Sequence, residues 1–259
     1  MRWWNRRPQR SLPANADQLF TTHVCEWRYL TADERDALRE ATADLLADKT
    51  WEPAHGFTLT DEMCAVIAAQ AALLSLYLGL ESFRRVKAII VHPQTITVSG
   101  PRASGIHGVM TDGPSHVLGQ AHDLHGPLLL AWDSVRYEAR HPYGGRNVTI
   151  HEFAHKIDML DGVLDGTPPQ LTGAERERWV EVCTAEYNLV VSGADDNFLD
   201  TYAATNAAEF FAVATESFFT RPDRLAVARP ELYDVLRDFY GYDGASRRPV
   251  PVVPPGESG

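Results

Sequence analysis

The chain has 259 residues, 44% of them hydrophobic and 23% charged, with a formal net charge of -11. A chain of this length and composition buries a core without staples, and its acidic balance argues against a nucleic-acid phosphate binder, so no direct nucleic-acid partner is expected. Three widely spaced cysteines, Cys25, Cys64 and Cys183, contain no CxxC pair and point to a reducing, cytoplasmic setting rather than a disulfide framework.

Residues 1–20 are basic and aromatic but lack the apolar run of a secretory signal, and read as a flexible or docked leader before a single domain at 21–244. Thr31 to Glu34 forms a capping-box pattern ahead of Leu38, Leu45 and Leu46 on helical spacing. Thr60 or Asp61 can cap the apolar stretch Met63 to Leu80, which is about long enough to span a bilayer. Gln70 and Ser75 interrupt it and Ala outnumbers Leu, Ile and Phe, so the expectation is a buried core helix and no membrane span. Val86 to Gly100 is β-branched and reads as strand, Pro101 to Gly126 as a long loop or irregular hairpin, and Pro127 to Val135 as another strand.

"HPYGGRN" then turns the chain into the helix of "NVTIHEFAHKIDMLDG", which Gly162 and an Asp/Gly/Pro-rich segment end. A second capping-box pattern, Thr172 to Glu175, opens a long helix, and the polar loop "SGADDNFLDTY" follows it. "NAAEFFAVATESFF" predicts a further helix stopped before Pro222, and "PELYDVLRDFYG" a last short one between Pro230 and Gly241. The tail 245–259 is Pro-rich and expected to be extended or disordered. Helices dominate and the few strands fall in the first half, which defines an α+β domain.

In HEFAH, Ile150, Phe153, Ala154, Ile157 and Leu160 form one apolar stripe, while His151, His155 and Asp158 lie roughly opposite. The two histidines stand one turn apart, about 6 Å along the axis, close enough to reach one ion. Glu152 is offset by about 100°, so it flanks the ion and is positioned to take a proton from water there. The competing reading is a surface helix with two solvated histidines. The greasy face opposite the histidines, the preceding strands and a later carboxylate-bearing helix favour zinc.

Catalytic zinc usually takes three protein ligands. Asp158 is about 10 Å along the axis from His151 and has a short arm, which suits it better to orienting an imidazole or anchoring a loop. Glu209 and Glu216, seven residues apart, share one face of the later helix. Glu209 could merely support the helix start from Asn206, and Glu216 could be a solvated acid; residue chemistry alone leaves the two even.

These segments together resemble the Mlc titration factor A family of bacterial zinc-dependent peptidases, related to the catalytic domain of anthrax lethal factor. The resemblance is carried by "GFTLTDEMCAVIAAQAALLSLYLGL", "VKAIIVHPQTITV", "GPLLLAWDSV", "NVTIHEFAHKIDMLDG" and "YAATNAAEFFAVATESFF". It implies a mostly helical, zincin-like (gluzincin) fold with a small β-sheet in its first half. It implies one Zn2+ per chain on His151, His155 and Glu209, with Glu152 as the base and Glu216 outside the ligand set. In related zinc peptidases a tyrosine seven residues before the ligand glutamate steadies the oxyanion, and Tyr202 stands at that spacing. The resemblance further implies aminopeptidase-type hydrolysis of a peptide or protein substrate, and binding of a transcriptional repressor of the Mlc type. The alternative is a regulatory protein that sequesters a transcription factor around a structural zinc; Glu152 has no purpose there.

Overall fold

The computed structural model describes residues 10–54, 56–94, 97–98, 102–103, 110–111, 115–116, 126–194 and 197–248. Its helices are α1 (Ala16–His23), α2 (Ala32–Asp48), α3 (Asp61–Leu78), α4 (Trp132–Arg140), α5 (Val148–Asp158), α6 (Gly173–Ser192), α7 (Ala207–Thr220), α8 (Pro222–Ala228) and α9 (Pro230–Tyr240). Its strands are β1 (Thr50–Pro53), β2 (Ala88–His92), β3 (Thr97–Val98), β4 (Arg102–Ala103), β5 (Met110–Thr111), β6 (Ser115–His116) and β7 (Leu128–Ala131).

A helix that is apolar on nearly every side cannot face water, and α3 is accordingly buried from Cys64 to Ser75. By length and composition it could cross a membrane, yet it packs inside, against α1, α2 and α5. Thr60 caps it by accepting the Met63 N–H, and Gln70, the polar break in the run, donates to the His23 carbonyl. Ahead of it, α2 starts on a complete capping box between Thr31 and Glu34, a feature whose loss costs about 1 kcal/mol.

The sheet has order β1-β2-β7 and is parallel throughout, with Ile89 opposite Leu128 and Val91 opposite Leu130. All four of those side chains are buried, as a parallel sheet requires. Two antiparallel ladders, β3 with β6 and β4 with β5, fall between β2 and β7; most of Pro101 to Gly126 lies outside the described residues. The architecture is α+β, mostly helical, with a small parallel sheet, as the resemblance implied.

Local readings differ from the structure in several places. The strand expected over 86–100 is split, because Pro93 follows His92 and can add no donor to the ladder. The strand expected over 127–135 stops at Ala131; from Trp132 the apolar residues Val135 and Ala139 recur at helical spacing and α4 takes over. Thr172 sits at the N-cap of α6 but makes no side-chain cap. Two helices come from stretches read otherwise: α1 from the leader, with Ala16 and Phe20 buried, and α8 after Pro222. Of the tail from Ala245, residues 245–248 are held to the body: Arg247 pairs with Glu34, and Arg248 with Glu26 and Asp223.

Candidate metal centre

The site lies where α5 faces α7. α5 is not a surface helix: every residue from Glu152 to Asp158 is buried, with Phe153 edge-on to Phe83 at 4.8 Å. Its polar residues therefore need partners within the protein. α7 is buried from Ala208 to Thr220 and begins at Asn206, whose side chain accepts the Glu209 N–H at 3.0 Å. Glu209 is thus third in the helix, where the backbone is fixed by the cap.

Three ligand atoms converge. His151 Nε2 lies 3.1 Å from His155 Nε2, and Glu209 Oε2 lies 3.0 Å from the first and 3.3 Å from the second. A tetrahedral cation with bonds of roughly 2.1 Å sets its donors about 3.4 Å apart, so this triangle suits one ion. Two imidazole nitrogens and a carboxylate oxygen are also a donor set for a first-row divalent metal. Burial pushes the Glu209 carboxyl up, but the two imidazoles outweigh it and hold it well below the usual range. Burial likewise opposes charge on His151, and Glu209 and Glu216 outweigh that to raise it well above its ordinary value.

Glu216, one face-repeat further along α7, occupies a different place from Glu209. Its Oε1 accepts His151 Nδ1–H at 2.8 Å and its Oε2 accepts the Asn147 N–H. One carboxylate thereby fixes the imidazole tautomer that turns Nε2 toward the triangle, and ties the start of α5 to α7. Glu152 is buried, and its Oε2 has no hydrogen-bond partner among the described residues. Burial above all, with Glu209 adding to it and the His151 ring opposing, pushes that carboxyl up to about 8. An ion and water at the triangle would meet this orphaned oxygen's need.

Tyr202 is 46% exposed, its ring 6.0 Å from that of His151. It lies in the helical turn Thr201–Ala204, capped by Asp200, and burial together with the Glu209 charge raises its hydroxyl pKa. Asp158 is not at the imidazoles. Its Oδ2 accepts the Gly166 N–H at 2.8 Å, and burial pushes its carboxyl up to about 7. Gly166 has φ +76° and approaches so closely that a Cβ would stand 2.3 Å from the Ala207 carbonyl oxygen. Asp158 thus anchors the loop that presses on the first turn of α7, two residues before Glu209.

Sequence reasoning missed Glu138. From α4 its Oε2 accepts the Val148 N–H at 2.6 Å, so Glu138, Glu216 and Asn147 between them occupy the first amides of α5. Burial first, and the neighbouring Glu216 charge second, push Glu138 up to about 7.

A His-His-Glu triangle on two facing helices, in an α+β domain with a small parallel sheet, marks a metallopeptidase of the zincin-like type. Residues 1–241 match the family described as glucose-regulated metallo-peptidase M90, and the chain belongs to that family. It is 34% identical over 236 residues to an uncharacterized protein of Synechocystis, covering 90% of this chain and 85% of that one. It is 32% identical to Mlc titration factor A of Serratia proteamaculans, over 83% of each chain, and 30% identical to that of Edwardsiella ictaluri, over 95% of each.

Proposed function

We propose that this protein is a zinc-dependent peptidase, of aminopeptidase type, acting on peptide or protein substrates in the cytoplasm. The observation that carries the reading is the convergence of His151, His155 and Glu209 beside the unpartnered, buried Glu152 oxygen. One Zn2+ per chain would be held by His151, His155 and Glu209; when bound, it supplies Lewis acidity toward a carbonyl and toward water.

The remaining chemistry belongs to the chain. Glu152, as the carboxylate whose basicity burial raises, takes the proton from the attacking water and returns it to the leaving amine. Tyr202 donates a hydrogen bond to the carbonyl oxygen as charge develops there. Glu216 keeps the His151 ring oriented, and Asp158 acts at a distance by holding the Gly166 loop against α7. Among the described residues, β7 pairs on one side only, so an extended substrate can add along its other side. The aminopeptidase preference rests on the family resemblance, and the cytoplasmic setting on three free cysteines.

The name Mlc titration factor A carried by relatives favours a second role, binding of a transcriptional repressor of the Mlc type. A regulatory protein that sequesters such a factor around a structural zinc is the competing account. Glu152→Gln separates them. Hydrolysis should fall by about 100- to 10,000-fold with metal content and partner binding unchanged, and unchanged hydrolysis defeats the peptidase mechanism. Metal measured by mass spectrometry on untagged protein should be near-stoichiometric zinc, and strongly reduced in Glu209→Ala. No zinc even after reconstitution defeats both readings.

A further inference from the structure

A cleft of about 100 Å3 opens on the other side of α7's C-terminal end, between α1, α4 and the tail. Its lining holds three arginines, Arg28, Arg140 and Arg248, and no Asp or Glu, on a chain whose net charge is -11. Arg28 and Arg140 are exposed, and their guanidinium groups pair with no carboxylate among the described residues. Arg248 is only 5% exposed and is fixed from behind by Glu26 and Asp223, yet its Nε has no acceptor among the described residues. Nearby, burial and then the charges of Arg140 and Arg136 depress the His23 pKa, so the region is cationic from two sides. Two tyrosines, Tyr29 and Tyr143, complete the walls, with Arg248 over the first ring at 5.0 Å and Arg224 over the second at 5.5 Å.

Two guanidinium groups that pair with no carboxylate among the described residues, Arg28 and Arg140, in a concave site on an acidic protein, call for an anion; Arg248 behind them is already held by Glu26 and Asp223. Guanidinium groups match oxyanions as forks, and aromatic walls suit an attached organic group. We propose that this cleft binds a small phosphomonoester, with the phosphate on Arg28 and Arg140 and the organic part against Tyr29 and Tyr143. The cleft is not the metal centre, but the two share walls. Thr220, in its lining, donates to the Glu216 carbonyl, and Pro142 begins the turn that leads into Asn147.

Calorimetric titration of the zinc-loaded full chain with phenyl phosphate and with inorganic phosphate tests the proposal. Expected are one phenyl phosphate per chain, tighter binding than inorganic phosphate, and at least ten-fold weakening in Arg28→Ala/Arg140→Ala. Arg136→Ala, outside the lining, should change affinity less than three-fold. No binding to the wild type at millimolar phenyl phosphate overturns the site. An unchanged isotherm in the double variant also overturns it and assigns the anion to the metal. Equal affinity for the two probes overturns the part given to the tyrosines.

Discussion

Two clusters of buried charge flank α7, and they are balanced differently. At its C-terminal end, fully buried Glu26 receives Arg248 and the Tyr242 hydroxyl, while Arg248 also reaches Asp223. Burial pushes the Glu26 carboxyl up and Arg248 pulls it back; every carboxylate there has its own donor from the chain. At the α5 side, Glu138, Glu152, Glu209 and Glu216 gather around two imidazoles, and one Glu152 oxygen has no partner among the described residues. The first cluster is a finished ion-pair network. The second has more negative charge than its own donors satisfy, which is what a site built for a cation looks like. Burial of charge therefore marks function only when the bookkeeping of donors and acceptors fails to close.

The comparison can be broken by experiment. Arg248→Met should cost about 3–5 kcal/mol in chemical denaturation, because it strands a buried carboxylate, and Glu26→Gln added to it should recover part of that. Metal content should not move in either variant. Full loss of metal in Arg248→Met at a temperature where it is folded would show the clusters to be one. Glu216→Gln should weaken metal binding by about 10- to 100-fold in a chelator competition, with a much smaller loss of stability than Arg248→Met. An unchanged metal affinity would reduce Glu216 to a helix cap.

Asp158→Asn should act through the pH dependence of stability. The folded Asp158 carboxyl titrates at about 7, against 3.8 for the free group, so the folded state keeps a proton that the unfolded chain releases. The contribution to stability is present below pH 4 and is lost as pH rises through 7. Asp158→Asn should remove a decline of up to about 4 kcal/mol between those limits, read from denaturation midpoints. A decline of equal size in the variant would assign it to other groups.

The HEFAH helix was legible because a four-residue spacing fixes two side chains on one turn regardless of context. The choice between Glu209 and Glu216 was not legible from residue chemistry, since seven residues return to the same face. Only the packing of α7 on α5 separates the one facing the Nε2 atoms from the one behind Nδ1. Glu138 was hidden because it follows a short apolar run that reads as strand, and nothing local announces the switch at Trp132. β1 was equally silent: four residues ending in Pro53 leave no alternation to count. The core helix α3 was plain, since composition alone specifies burial. The arginine cleft draws on segments scattered from Thr21 to Arg248, a juxtaposition no window of sequence contains.

The clasp between Glu26 and Arg248 also sets an order of events. The two residues are 222 positions apart, so a chain made from its N-terminus holds an incipient core whose buried acid waits for Arg248 to emerge. The helices of the metal centre are all synthesised before that closure. Until Arg248 is made, the residues of the metal centre are all present and the seam is still open.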